Sequence, residues 1–203
     1  MSSPEVYNAN YFERGCELGL SLYRNYRWMP EVSIPMACEL KAMYPKKSIL
    51  DFGCAKGFLV KAMRSLGIEA YGVDISKYAI ACADDCTRPF LFEKVKDAPE
   101  SDVVFSKDTL EHIERKDLPP VLMALRRRFK QAFMIVPFGE NGVYRIKDYD
   151  KDLTHRITEP EYWWGLQFKH AGFKIETMTY KVSGFKDNWA QYEKGNGFYF
   201  LKS

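Results

Sequence analysis

The chain has 203 residues, 46% of them hydrophobic and 28% charged, a profile that suits one globular domain with a sizeable core. The net charge of +3 is too small to point to a nucleic-acid partner. No apolar run approaches the ~18 residues of a membrane span, and no signal pattern opens the chain, so a cytoplasmic protein without membrane contact is expected. Cys16, Cys38, Cys54, Cys82 and Cys86 are odd in number, irregularly spaced and form no Cys-x-x-Cys, which argues against a disulfide framework. Cys82 and Cys86 stand one helical turn apart, but no histidine or cysteine close by completes a zinc set, and no metal ligand is assigned.

In chain order, residues 1–45 read as a helical cap and 46–203 as the core of a single domain. The cap is rich in Tyr, Trp and Met. In "YFERGCELGLSLYRNYRWMPE" apolar and aromatic residues recur every three or four positions, which predicts helix. Pro30 and Pro35 are expected to break it, with "PMACELKAMY" resuming as a second helix. A strand–helix alternation follows. Ser48 to Phe52 reads as a buried strand, Phe58 to Leu66 as a helix stopped by Gly67, and "IEAYGVD" as a second strand ending at Asp74. "SKYAIACA" is a helix with Ser76 as its N-cap. "PFLFEKV" and "DVVFS" read as the third and fourth strands. "LPPVLMALRRRF" is a helix with prolines in its first turn and Arg126, Arg127 and Arg128 solvated at its end. "QAFMIVPF" is the fifth strand. The polar stretch "FGENGVYRIKDYDKDLTHR" predicts a mobile connection. "TEPEYWWGLQFKHAGF" is a helix capped by Thr158 and stopped by Gly172, with His170 near its end. "KIETMTYKV" and "GNGFYFLKS" close the chain as an antiparallel pair. The pattern predicts an α/β fold: a Rossmann-like, doubly wound, seven-stranded sheet, mostly parallel with an antiparallel C-terminal edge.

In such a sheet, ligands bind outside the C-terminal ends of the strands. The segment after the first strand, "LDFGCAKG", carries small residues at Gly53, Ala55 and Gly57, which let a ligand approach the backbone. The pattern D-x-G-x-A-x-G is neither a G-x-G-x-x-G dinucleotide turn nor a P-loop. Asp51 before it would repel a pyrophosphate and suits a ligand with a cationic amino group. Asp74, 17 residues after Gly57 at the end of the second strand, can accept hydrogen bonds from both hydroxyls of a ribose.

These segments resemble the class I S-adenosylmethionine-dependent methyltransferases. "LDFGCAKG" is similar to their first motif and "YGVDIS" to the ribose-binding second. "DVVFSKDTLEHI" is similar to the fourth-strand motif of the small-molecule branch. "DLTHRITEPEYWWGLQFKHAGF" is similar to that branch's late Asp-x-Thr-His segment. The resemblance covers roughly residues 45 to 180. Ala55 departs from the commoner glycine, and the third-strand region lacks the usual acid at the adenine amine.

The resemblance implies S-adenosyl-L-methionine as cofactor and S-adenosyl-L-homocysteine as product. Gly53, Cys54, Ala55 and Gly57 would surround the methionine tail with backbone, and Asp51 would act on its ammonium. Asp74, with Ile75 beside it, would hold the ribose, and Ser106 and Lys107 would meet the cofactor through main-chain atoms. Tyr23, Tyr26 and Trp28 form either a lid under which Arg27 pairs with the cofactor carboxylate, or core. Proton removal from an acceptor would fall to His112 or His155, with Asp108 orienting the acceptor or a histidine. The competing readings are a helix-start role for His112 and an N-cap role for Asp108. The expected acceptor is an oxygen or nitrogen of a small polar metabolite, such as a sugar or nucleotide-sugar, bound by a monomer or homodimer. A donor-binding module without turnover and a nicotinamide-dependent oxidoreductase are the alternatives.

Overall fold

The computed structural model describes residues 4–203. Five parallel strands build the sheet: β1 (Ile49–Phe52), β2 (Ala70–Val73), β3 (Leu91–Phe92), β4 (Val103–Lys107) and β5 (Gln131–Pro137). A hairpin of two short strands, β6 (Gly139–Glu140) and β7 (Val143–Tyr144), stands apart from them. Strands β8 (Lys174–Thr179) and β9 (Asn196–Lys202) complete a seven-stranded sheet in the order β3-β2-β1-β4-β5-β9-β8. The last strand lies inside, antiparallel to both β5 and β8, and β8 takes the edge. The order reverses between β1 and β4, so the switch point lies where the first motif was read.

Alternating side chains of the inner strands enter two separate cores, as a sheet covered on both faces requires. Ile49, Val103, Phe105, Phe133 and Ile135 face one layer with Leu40, Val60 and Met63. Leu50, Val104, Ala132, Met134 and Val136 face the other with Leu122, Trp164 and Phe168. The first layer is covered by α2 (Pro30–Met43) and α3 (Phe58–Ser65), and the second by α5 (Leu118–Arg128) and α6 (Glu161–His170). Each fully buried Leu, Val or Phe contributes about 1.5–3 kcal/mol, which fixes β1, β4 and β5 as the rigid base on which the loops are mounted. A short helix, α4 (Lys77–Ala81), follows β2. Its N-cap is Ser76, whose Oγ accepts from the Ala79 amide at 3.0 Å.

Four local expectations give way. The aromatic stretch is helical only over α1 (Ala9–Arg14), and residues 15–29 run as turns and irregular chain. Their aromatics pack on one another instead of forming a helical stripe: Tyr23 and Tyr26, with ring centroids 4.6 Å apart, join Tyr11 and Phe12 against Ala55 and Ala79. Pro30 opens α2 and Pro35 lies within it, so the prolines start and tolerate the helix without breaking it. The polar connection after β5 is folded, with Tyr144, Ile146 and Tyr149 forming a small core of their own. The cap of α6 is Pro160 and not Thr158. Among the described residues no helix is long and apolar enough to cross a membrane.

Candidate functional site

A cleft opens at the C-terminal ends of β1, β2 and β4. It is lined by Phe52, Gly53, Ala55, Val73, Asp74 and Ile75 on one side and by Asp108, Thr109 and His112 on the other. Tyr7, Tyr11, Phe12 and Tyr23 from the N-terminal segment also line it. Ser76 Oγ donates to the Tyr7 carbonyl at 2.5 Å, and Lys56 Nζ bonds Glu13 at 2.6 Å and the Tyr26 carbonyl at 2.9 Å. The N-terminal segment is thereby strapped onto both motif loops.

The first side of the cleft is shaped by backbone. Gly53, Ala55 and Gly57 all stand at positive φ, +88°, +48° and +72°. A side chain on Gly53 would lie 2.0 Å from Thr109 Oγ1, so only glycine lets the loop after β1 touch the segment after β4. Gly57 is small for another reason: a Cβ there would strike Leu91 on β3. Ala55 accepts a left-handed conformation that costs an L-residue about 1–2 kcal/mol. One cause is visible: its amide donates to Asp74 Oδ2 at 2.7 Å, while Asp74 Oδ1 takes the Ser76 amide at 2.8 Å. The Asp74 carboxylate is thus fixed facing the cleft, with lone pairs to spare. Asp51 is buried on β1; burial pushes its carboxyl up to about 7, Lys107 pulls it down and Asp74 pushes it up.

The second side is built from ionisable side chains. Asp108, at φ +52°, accepts from Lys107 Nζ at 2.8 Å and from Lys186 Nζ. Burial opposes its charge, but the two lysines hold it well below the usual carboxylate range. Lys186 is 3% exposed and also bonds the Tyr149 hydroxyl at 2.7 Å and Asn196 Oδ1 at 2.6 Å. Burial keeps its ammonium below the ordinary value despite Asp108. Burial also lowers Lys107, but Asp108 more than restores it. Glu111 is fully buried, and burial with Asp108 close by raises its carboxyl well above the ordinary value.

His112 and His155 lie with ring centroids 4.6 Å apart. Burial and His155 push His112 down to about 4, and burial lowers His155 as well, so both rings are neutral at pH 7. His112 Nδ1 is 2.8 Å from Thr154 Oγ1, which donates to Asp152 Oδ1 at 2.6 Å. Asp152 Oδ2 accepts from the Tyr11 hydroxyl at 2.9 Å. His155 Nδ1 bonds the Tyr149 carbonyl at 2.8 Å.

Residues 34–179 match the family model described as a methyltransferase domain. The chain belongs to this methyltransferase family. It is a class I enzyme whose methyl donor is S-adenosylmethionine. No curated protein sequence matches the chain. Solved structures that share the fold include an S-adenosylmethionine-dependent methyltransferase from Archaeoglobus fulgidus. It is 16% identical with a TM-score of 0.60, over 83% of this chain and 93% of that one. The mitomycin 7-O-methyltransferase MmcR is 12% identical, TM-score 0.61, over 84% and 54%. The glycopeptide N-methyltransferase MtfA, solved with S-adenosylmethionine, is 13% identical, TM-score 0.60, over 84% and 93%.

The methyltransferase cleft brings together Gly53, Ala55, Asp74, Ile75, Asp108 and His112. Arg27 is exposed and is not among the residues that line it. The Cys54 side chain is buried in the core and fills the space that a side chain on Gly72 would need. Ser106 is buried, its hydroxyl without a hydrogen-bond partner among the described residues. Of the lid aromatics, Tyr23 lines the cleft while Tyr26 and Trp28 pack on Phe58. Asp108 caps no helix; Thr109 precedes the short turn Leu110–His112. Sequence reasoning missed Lys186, which reaches Asp108 from a loop with no motif around it, and Tyr11, whose tie to Asp152 spans most of the chain.

Proposed function

We propose that this methyltransferase acts on an oxygen or nitrogen of a small polar metabolite, a sugar or nucleotide-sugar being the model acceptor. The observation that carries the reading is the two-sided cleft. One side offers bent backbone and one fixed carboxylate, suited to a ribose and an amino-acid tail. The other offers Asp108 and His112 to a polar acceptor. The aromatic strap along the cleft favours a small acceptor over a polymer. The names of two fold neighbours, an O- and an N-methyltransferase, support both candidate atoms.

When bound, the donor supplies an activated methyl group on a sulfonium, so the chain has mainly to align and dehydrate. Asp74 would hold the ribose, with Ile75 against the adenosine. The backbone of Gly53 to Gly57 would surround the amino-acid tail, Asp51 would meet its ammonium, and the main chain of Ser106 and Lys107 would close the sulfur side. Asp108 would position the acceptor. His112 or His155 would take the proton that an oxygen acceptor loses. Low basicity makes this a modest contribution, since the ideal base titrates near the working pH.

The test is incubation with methyl-labelled donor and a small-metabolite extract. Label is expected in a low-mass polar fraction, and Asp74→Ala is expected to abolish both transfer and donor binding by titration calorimetry. Donor binding with label entering no small molecule would overturn the acceptor reading.

A further inference from the structure

Two imidazoles and one buried carboxylate converge where the segment after β4 meets the loop after β7. One ligand atom from each of Glu111, His112 and His155 lies within 4.8 Å of the other two. We propose that these three side chains bind one divalent cation, zinc or a first-row transition metal, at the acceptor end of the cleft, with a coordination position left for an acceptor hydroxyl. The cation binding stands by itself; the hydroxyl role rests on the methyltransferase reading above.

The first support is Glu111. It is 0% exposed, and neither carboxylate oxygen has a hydrogen-bond partner among the described residues. An ionised carboxylate buried without partners is strongly disfavoured. The two ammonium groups that act on it, Lys107 and Lys186, are both bonded to Asp108 instead. A cation would satisfy both orphaned oxygens at once.

The second support is the way the rings are held. A carbonyl only accepts, so the bond to Tyr149 makes Nδ1 of His155 the protonated nitrogen and leaves the lone pair on Nε2. Thr154 gives its proton to Asp152, so its oxygen accepts from Nδ1 of His112. Metal-binding histidines are oriented by partners of this kind. The donor set, two imidazoles and one carboxylate, suits zinc, iron, cobalt, nickel or manganese better than magnesium or calcium, which take oxygen ligands. Bonds of about 2.0–2.2 Å place tetrahedral or octahedral ligands roughly 3 Å apart, so loading would draw the side chains together by an ångström or two.

His112 lines the cleft with Asp108 and Thr109, so a cation on this ring borders the acceptor space. A hydroxyl seated on it would lose its proton to solvent more readily, as a metal-bound water does.

The test uses full-length protein stripped with a chelator, without donor or acceptor. Co²⁺, followed by its visible absorption, and Zn²⁺ and Mn²⁺, followed by calorimetry, are titrated in turn. Wild type is expected to bind one equivalent of at least one of them. Glu111→Gln and His155→Ala are each expected to weaken that binding at least about a hundredfold, and Thr154→Val, which removes a supporting partner but no ligand, about tenfold. Donor affinity, measured separately, is expected to stay within about threefold and reports that each variant is folded. Absence of stoichiometric binding by wild type, or unchanged affinity in both Glu111→Gln and His155→Ala, would overturn the site. Cation binding without methylation of any small molecule would sink the acceptor reading and leave the site standing. Methyl transfer by a protein that binds no cation would do the reverse.

Discussion

The two sides of the cleft are built by opposite means. The side proposed for the donor is a run of backbone between β1 and α3, with one carboxylate at the end of β2. Its chemistry is carried by φ angles and amide groups, and its residues are near neighbours in sequence. The side proposed for the acceptor is a set of ionisable groups, Asp108, Glu111, Lys107 and Lys186, with two histidines, drawn from segments up to 78 residues apart. A side built on local backbone tolerates changes in distant side chains. A side built on buried charge depends on every member being present.

The sharpest test of that contrast is Lys186→Met. It leaves Asp108 with one lysine in place of two at a site where Lys186 is 3% exposed. Breaking a buried pair in this way costs about 3–5 kcal/mol, and a loss of about 3 kcal/mol is expected in urea denaturation. A loss under 1 kcal/mol would show that the acceptor side is not held by charge. Next comes Gly53→Ala on the donor side. The φ of +88° and the Thr109 oxygen 2.0 Å from the new Cβ combine strain of about 1–2 kcal/mol with overpacking of about 1–3 kcal/mol. Donor affinity is expected to fall at least tenfold, and Thr109→Gly in the same chain to recover part of it.

A smaller effect concerns pH. Burial raises Asp51 to about 7 in the ligand-free protein, so near neutrality a fraction of it carries a proton. An ammonium placed beside it lowers that value, so the complex holds fewer protons than the free protein. Linkage then requires donor affinity to rise with pH from about 6 to 8. The expected gain is a few-fold, accompanied by proton release in calorimetry across buffers, and it should vanish in Asp51→Asn. A flat profile in wild type would place the ammonium elsewhere. The smallest effect is Ala55→Gly. Relief of the left-handed strain, less the entropy glycine adds to the unfolded chain, is expected to stabilise by about 0.5–1 kcal/mol without weakening the donor.

The same contrast explains what could be read before the structure. The bent loop of Gly53, Ala55 and Gly57 and the strand-end position of Asp74 were legible because a tight turn and a strand-end acid are requirements of one short segment. The sheet was legible because β1, β4 and β5 are continuous apolar runs with both faces covered. The aromatic N-terminus was not, since three- and four-residue spacing fits a helix as well as it fits an irregular chain whose rings cluster, as Tyr23 and Tyr26 do with Phe12 over Ala55. Polarity misled for residues 138–156, where Tyr144, Ile146 and Tyr149 anchor a segment that reads as solvent-exposed. Glu111 looks like an ordinary helix-start acid until its burial is known, and nothing local marks Lys186 as the partner of Asp108.

The position of β9 has a kinetic consequence. It pairs with β5 over Gln131–Pro137 and with β8 on its other side, so β8 has no place in the sheet until a strand later in the chain has arrived. Pairings between such distant segments are slow to form because a long loop must close first. Until they form, one edge of β5 offers seven residues of unpaired backbone, and an open apolar edge invites pairing with another chain. Aggregation during refolding should therefore be governed by the closing of this edge, at the far end of the sheet from the cleft's donor side.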